Sequence, residues 1–127
     1  MELKMSELNQ VYNSFSKLTN QRFPVKTSYK LAKLISSLEI ERALFQNQFQ
    51  LLIEHYAEKD ETGAPKQTED KESIIIKKDC LELFEQEYKE LLDLPITVPD
   101  ITFSLEEFGA YDFTPIEIYA IQKFIVE

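Results

Sequence analysis

The sequence predicts a mainly α-helical protein with a small β element, organised as a long antiparallel helical hairpin with flanking N- and C-terminal helices. Apolar residues recur every three or four positions through most of the chain, which is the spacing of one helix face. Residues 73–77, a short run rich in β-branched side chains, are the best strand candidate in the chain. Gly63 and Pro65 lie between the two longest helical patterns, so the chain is expected to turn there and return along the first helix.

The longest helical pattern covers residues 27–57. Its principal stripe consists of Leu31, Leu34, Ile35, Leu38, Phe45, Phe49, Leu52, Ile53 and Tyr56. A second stripe consists of Ile40, Ala43, Leu44 and Leu51. We expect the combined face to be buried against several elements, because it is wider than a coiled-coil seam. Thr27 or Ser28 is the expected N-cap. The helix is expected to end at residue 57, where a polar segment that contains Gly63 and Pro65 begins.

Two shorter helices are predicted near the ends of the chain. Residues 6–19 form an amphipathic helix with Ser6 as its N-cap, and residues 1–5 before it form a short strand or a loose arm. Residues 115–126 form the C-terminal helix. Its start at Thr114 reads Thr-Pro-Ile-Glu, a capping box with proline at the first helical position.

The middle of the chain combines the β element with the second helix of the hairpin. Residues 58–78 form an acidic loop or hairpin, in which residues 73–77 are expected to pair as a strand with residues 64–68. A helix follows over residues 79–93, capped by Asp79 and antiparallel to the long helix.

An extended segment leads from this helix towards the C-terminus. Pro95 and Pro99 restrict residues 95–103 to an edge strand or a segment that follows the surface. Ser104 then opens a second capping box, Ser-Leu-Glu-Glu, and Gly109 can close the short helical turn that it starts.

The composition indicates one folded domain. The chain has 127 residues, 43% of them hydrophobic, which is enough for a core of its own. It has no apolar run of about 18 residues, so no transmembrane helix is predicted, and its first residues lack the apolar stretch of a signal peptide. One cysteine, Cys80, excludes an intramolecular disulfide and indicates a reducing compartment, so we expect a cytoplasmic protein.

The charge is unevenly distributed. The net charge is −9, but residues 1–57 carry seven Lys and Arg against five Asp and Glu, and residues 58–127 carry seven against eighteen. A basic cluster without intervening acid consists of Lys17, Arg22, Lys26, Lys30 and Lys33. Lys26, Lys30 and Lys33 share one face of the long helix, which suits a phosphate backbone.

The same basic cluster has an intramolecular explanation. The helix over residues 79–93 has an acidic outer face, and the basic start of the long helix can lie against it. The acidic candidates for interaction on that helix are Glu82, Glu85, Glu87 and Glu90. Both explanations remain open on the sequence alone.

Residues suited to catalysis or to cofactor binding are sparse. His55 is the only histidine and Cys80 the only cysteine, so a histidine-rich metal site is excluded. Gly63 and Gly109 are isolated, which excludes a phosphate-binding loop. Residues 58–61 are rich in carboxylates but lack the alternating pattern of a calcium loop. We therefore predict no catalytic, metal or cofactor site, and a protein that is not an enzyme.

Five segments follow one another in a recognisable order: LKMSEL at 3–8, SYKLAK at 28–33, HYAEKDETG at 55–63, FEQEYKELL at 84–92 and a Thr114-Pro115 helix start. This order resembles a family of small proteins of unknown function encoded by tailed phages and prophages, chiefly of Gram-positive bacteria. Members of that family carry a Y-x-x-x-D-E-x-G hinge and tend to have a Ser-Gly pair at the last helix start. The resemblance implies a phage origin and brings no catalytic residue with it.

Three functions follow as hypotheses. The first is a non-enzymatic phage protein that acts by protein–protein contact, as a virion or assembly accessory component. The second is an inhibitor of a host defence or nucleic-acid enzyme that uses the acidic surface. The third is a nucleic-acid binder that uses the basic cluster, and the acidic second half disfavours it. We expect a phage or host protein as partner, leave self-association open, and expect no cofactor and no membrane. The location is the host cytoplasm or the virion.

Overall fold

The computed structural model of the chain describes residues 1–67, 74–109 and 111–126. These residues form four α-helices and a two-stranded antiparallel sheet, which confirms the prediction of a mainly α fold with a small β element. Two compact units can be distinguished, one made of Met1–Arg42 with Pro95–Glu127 and the other of Ala43–Leu94. The single domain predicted from the length of the chain stays a prediction.

The sheet belongs to the first unit. Strand β1 (Glu2–Lys4) pairs antiparallel with strand β2 (Pro95–Thr97), and Leu3 lies opposite Ile96. Successive strand side chains point to opposite faces, so these two central residues are buried while their neighbours are exposed. The N-terminal arm is therefore a strand, and the proline-limited segment that begins at Pro95 supplies its partner.

Helix α1 (Met5–Ser16) begins directly after β1 and continues as a 3₁₀ turn over Lys17–Asn20. The predicted N-cap at Ser6 was wrong. The backbone of Lys4 is still extended, so Lys4 is the N-cap, and its amide donates a hydrogen bond to Glu7 Oε1 at 3.1 Å. Strand β1 ends at Lys4 and the helix begins at the next residue, Met5. Ser6 therefore lies inside the first turn of the helix.

Helix α2 (Val25–Tyr56) has 32 residues and begins two residues before its predicted start. Neither Thr27 nor Ser28 is its N-cap, so that prediction was wrong. The Ser28 amide already donates to the Pro24 carbonyl at 3.0 Å, so both residues lie within the first turn. The buried Thr27 hydroxyl donates instead to Glu107 Oε1 at 3.1 Å. The Thr27 hydroxyl, which the sequence assigned to the N-cap, thus makes a hydrogen bond to a distant residue of the fold.

The C-terminal segment opens with the two predicted capping boxes. Ser104 opens a 3₁₀ turn over Leu105–Phe108, and Gly109 closes it with φ +61°, a conformation that favours glycine. Thr114 caps helix α4 (Pro115–Ile121) by accepting a hydrogen bond from the Glu117 amide at 3.2 Å. The helix then tightens into a 3₁₀ turn over residues 122–124, so the predicted 115–126 helix is shorter than expected.

An aromatic cluster forms the centre of the first unit. The Phe15 ring on α1 lies 5.9 Å from Phe103 and 5.3 Å from Phe124, centroid to centroid, and all three side chains are fully buried. Phe103 is also held through its backbone, because its amide donates to the Phe124 carbonyl at 2.7 Å. Other fully buried side chains of this unit are Val11, Leu18, Leu34, Leu38 and Ile121.

The second unit is a helical hairpin. The last part of α2 packs against helix α3 (Leu81–Leu92), with Phe49 beside Tyr88 at 5.2 Å and Tyr56 beside Phe84 at 6.3 Å between ring centroids. Residue numbers rise along one helix as they fall along the other, so the predicted antiparallel arrangement is confirmed. Asp79 is not the N-cap of α3, because a 3₁₀ turn over Lys78–Cys80 precedes the helix and Cys80 takes that position.

Short backbone bridges lie in the connection between the two helices of the hairpin. Gln67 pairs antiparallel with Ile74, as expected for a ribbon between residues 64–68 and 73–77. Ile76 also pairs with Ala57 at the end of α2, which the sequence did not indicate. Residues 68–73, on which part of this prediction falls, lie outside the described residues.

The second apolar stripe of α2 is not buried, which contradicts the expectation of one wide buried face. Ile40, Leu44 and Leu51 are 63%, 52% and 56% exposed, and Ala43 is exposed as well. In the second unit α3 is the only described helix beside α2, and a single neighbouring helix covers only one side of a helix. In this unit Phe49 and Tyr56 of the principal stripe face α3, and Leu44 and Leu51 of the second stripe face solvent.

We predict that Phe15→Ala lowers the free energy of unfolding by about 3–5 kcal/mol, because it leaves a cavity between two buried rings. Urea unfolding followed by circular dichroism measures this change. Tyr29→Ala is the matched control, since Tyr29 is 68% exposed and its loss should cost less than about 1 kcal/mol. Equal effects of the two substitutions would contradict the central role of the aromatic cluster.

Candidate interaction surfaces

Lys30, the central member of the predicted basic face, is bound within the chain. Its Nζ lies 2.9 Å from Glu107 Oε1 and donates to the Thr102 carbonyl at 2.7 Å. The same ammonium lies 4.7 Å from the centroid of the Phe103 ring. Lys30 is therefore not available to a phosphate backbone, and the predicted three-lysine face loses its middle residue.

Glu107 combines a local and a tertiary role. Its Oε2 accepts a hydrogen bond from the Ser104 amide at 2.8 Å, which completes the capping box. Burial by itself raises the pKa of Glu107. The hydrogen bonds and the charge supplied by Lys30, Ser104 and Thr27 outweigh that effect, and the pKa lies below its ordinary value.

Glu117 repeats this arrangement at the other capping box. Its Oε1 accepts from the Thr114 amide at 3.0 Å, and its Oε2 lies 3.4 Å from Lys17 Nζ. The bond from the Thr114 backbone is the main reason why the pKa of Glu117 is lowered, although burial opposes it, and Lys17 adds to the lowering. The Oε2 atom has no hydrogen-bond partner among the described residues, so the Lys17 charge is what balances it.

The acidic partners of the basic cluster are not those on the helix over residues 79–93 that the sequence suggested. Two of its members pair with glutamates of the C-terminal segment, and the expected pairing with the acidic helix over 79–93 is not among the ion pairs of the described residues. Within residues 1–67, 74–109 and 111–126, no ion pair involves Arg22, Lys26 or Lys33, and all three are exposed.

The acidic candidates all lie on the exposed surface of α3, but they do not form one site. Glu87 and Glu90 line a shallow groove of about 250 Å³ between the two helices of the hairpin, whereas Glu82 and Glu85 do not. The other residues that line it are Gln48, Leu52, Leu91 and Leu94. The groove is thus apolar at its base and acidic along one edge.

Glu87 also contacts the hairpin core. Interaction with the Glu87 carboxylate is the main reason why the pKa of Tyr56 is raised, and burial adds to it. Tyr56 is buried beside Phe84, so Glu87 lies next to the hairpin core as well as lining the groove.

Sequence reasoning missed the exposed leucines of the hairpin. Leu44, Leu51, Leu81, Leu83 and Leu94 are each between 47% and 56% exposed. The sequence contains an indication of part of this surface. Residues 43–53 include no charged residue, although 29% of the chain is charged. The centre of a protein interface shares this depletion of charge.

A cleft of about 580 Å³ lies beside the start of α2 in the first unit. Thr27 and Glu107 line it, but they bind each other. Its exposed rim carries both signs of charge, with Arg22 facing the same opening as Glu106 and Asp112.

Asp60 and Cys80 are the two remaining side chains that were considered for metal binding or catalysis, and Asp60 has a structural role. Asp60 Oδ1 accepts hydrogen bonds from the Thr62 amide at 2.9 Å and the Thr62 hydroxyl at 2.6 Å, and the hydroxyl bond is the main cause of its lowered pKa. The turn thus uses the carboxylate that a calcium loop would need. Cys80 is a free, half-buried thiol. Among the described residues, no three His, Cys, Asp or Glu side chains are grouped as metal ligands.

None of the helices in the part of the chain that the structure describes combines the length and hydropathy needed to cross a bilayer. No protein-family model, curated protein or solved structure matches the chain.

We predict that stability decreases in acid because of Glu107 and Glu117. Folding lowers both pKa values, so their stabilisation is fully present above the unfolded pKa, near about 4.3, and is lost as the pH falls through the folded pKa. Glu107→Gln should cost about 1–2 kcal/mol at pH 7 and progressively less below about pH 4.

Urea unfolding over a pH series measures this difference. Glu106→Gln is the matched control, because the neighbouring Glu106 is exposed and should change stability little at any pH. If the cost of Glu107→Gln were the same at every pH, its ionised contacts would not be the cause.

Proposed function

We propose that this protein is a non-enzymatic protein–protein interaction module of phage origin, acting as a virion or assembly accessory component. The phage origin rests on the sequence resemblance. The interaction role rests on one observation. Several large apolar side chains on both helices of the hairpin are each about half exposed to solvent. Exposed apolar side chains that cluster, rather than occurring singly, are typical of interaction sites.

The groove of the second unit is the surface that we assign to a phage or host protein. Leu94 is 48% exposed and Leu52 is half-buried, so both offer apolar contacts there, while Leu91 is buried at the base. Glu87 and Glu90 form the acidic edge of the groove. An apolar centre with a charged rim is the usual anatomy of a protein-binding surface. A partner that fits it presents an apolar ridge with basic residues beside it.

The basic cluster gives less support to nucleic-acid binding. Lys17 and Lys30 form ion pairs with glutamates, so fewer cations are available to replace the counterions of a phosphate backbone. The net charge of −9 adds repulsion at longer range.

The tagged protein should capture a phage structural or assembly protein from phage-infected cells, identified by mass spectrometry. We expect Glu90→Lys with Leu94→Lys to reduce this capture at least about tenfold, because the pair alters the groove. The matched control is Glu85→Lys with Leu81→Lys, which makes the same chemical changes on α3 at residues that do not line the groove.

Equal loss of capture in both double variants would contradict docking at the groove. Capture of a host nuclease or defence enzyme in place of phage proteins would contradict the accessory role. It would favour the second function, an inhibitor of a host defence or nucleic-acid enzyme. The four exposed glutamates of α3 are the observation that supports this alternative.

A further inference from the structure

The cleft beside the start of α2 has the size of a small-molecule site. Its volume of about 580 Å³ lies within the roughly 300–1,000 Å³ that is typical of ligand pockets. One wall is the connection that leads into α2 and includes Arg22 and Phe23. The other wall is the Ser-Leu-Glu-Glu turn and the residues after it, with Glu106, Tyr111 and Asp112. Both walls belong to the first unit.

Contacts within the chain tie the two walls together. The Thr27 hydroxyl on one wall donates a hydrogen bond to Glu107 Oε1 on the other at 3.1 Å. The buried Phe108 ring lies 6.0 Å from the Phe23 ring and 5.2 Å from the Phe103 ring, centroid to centroid. The cleft is therefore formed before a ligand binds, as is usual for small-molecule sites.

The two walls carry opposite charges. Arg22 is the one cation among the described residues that line the cleft, and Glu106 and Asp112 are exposed carboxylates on the other wall. None of the three belongs to an ion pair of the described residues, so these charges do not neutralise each other across the opening. A ligand with one sign of charge would be repelled at one wall. A ligand with an anionic group at one end and hydrogen-bond donors at the other matches both walls.

Aromatic side chains on both walls indicate the middle part of the ligand. Phe23 lies on the wall of Arg22, and Tyr111 lies on the wall of the carboxylates. Both side chains are half-buried, so part of each ring faces solvent. Flat heterocycles stack on such rings, and nucleobases do so whatever their identity.

We propose that this cleft binds a guanine mononucleotide. Its phosphate pairs with Arg22, because a planar guanidinium matches phosphate oxygens. Its base stacks on Phe23 or Tyr111. The N1–H and amino groups of the base donate to Glu106 or Asp112, since a carboxylate only accepts hydrogen bonds. Guanine suits a carboxylate because it presents these two donors side by side on one edge.

The charge of the protein limits the ligand to a free nucleotide with one phosphate. The cleft holds one cation among its described lining residues, and the chain carries a net charge of −9. Each further phosphate therefore adds repulsion that no second lining cation offsets, and a longer nucleic acid adds more. This site goes beyond the proposed function, which concerns the groove of the second unit.

Isothermal titration calorimetry of the full chain with guanosine 5′-monophosphate tests the site. We expect a dissociation constant of about 10–500 μM, because the cleft is open and offers few charged contacts. Absence of binding at millimolar nucleotide would overturn the proposal. Equally tight binding of free tryptophan would also overturn it, because that ligand has an aromatic ring but neither a phosphate nor the paired donors of guanine.

Arg22→Ala tests the contact with the phosphate. It should weaken guanosine 5′-monophosphate about tenfold and leave the affinity for guanosine unchanged, because guanosine has no phosphate to lose. Lys33→Ala is the matched control, since Lys33 is an exposed cation of α2 that does not line the cleft. Equal weakening by both variants, or a loss for guanosine as large as for the nucleotide, would overturn the proposed orientation and with it the proposal.

Glu106→Gln with Asp112→Asn tests the contact with the base. The double variant should weaken the nucleotide at least about fivefold, because it removes the charged acceptors. If the cleft only attracted an anion, the loss of two negative charges would tighten binding, and that result would overturn the proposal. Glu2→Gln with Asp93→Asn is the matched control at exposed residues outside the cleft and should leave the affinity unchanged. Circular dichroism checks that all variants keep their helices.

Discussion

The first unit depends on the packing of Phe15 against Phe103 and Phe124. These residues come from α1, from the extended segment after β2 and from the last turn of the chain, and their rings are fully buried together. Backbone hydrogen bonds from Phe103 to Phe124 and from Val126 to Phe103 hold the chain end in place. Contacts between residues so far apart in sequence carry a large cost in chain entropy, which the burial of three aromatic side chains offsets.

Two glutamates of this unit each make one local and one long-range contact. Glu107 and Glu117 each accept the backbone hydrogen bond of a capping box, and each also pairs with a lysine from the first part of the chain. A capping box is local, since its residues are three positions apart. The second bond ties that local structure to a distant helix. Lys17 and Lys30 are thereby paired within the chain, so the basic cluster in the sequence leaves fewer unpaired cations than its five residues suggest.

The second unit, in contrast to the first, has few buried side chains. Its hairpin buries only one side of each helix, and few of its described residues are fully covered. A pair of helices cannot enclose a core as three or more can, so apolar side chains remain at the surface. Leu44 and Leu51 lie along an uncharged side of α2 and Leu94 lies beside the acidic edge of α3, whereas Leu81 and Leu83 lie outside the groove. The proposed interaction role rests on this exposure of apolar side chains in the hairpin.

The sequence by itself determined the features that depend on near neighbours in the chain. Helix spacing set the four helices, the capping boxes at Ser104 and Thr114 set two starts, and Gly63 with Pro65 set the turn of the hairpin. Tertiary structure alone decided three others: the role of Thr27, the partner of Lys30, and the exposure of Leu44 and Leu51. Periodicity shows that a side of a helix is apolar, but it does not show how many neighbours are there to cover it. A hydroxyl or an ammonium likewise binds whichever group the fold brings within reach, and that group lies about eighty residues away in both cases.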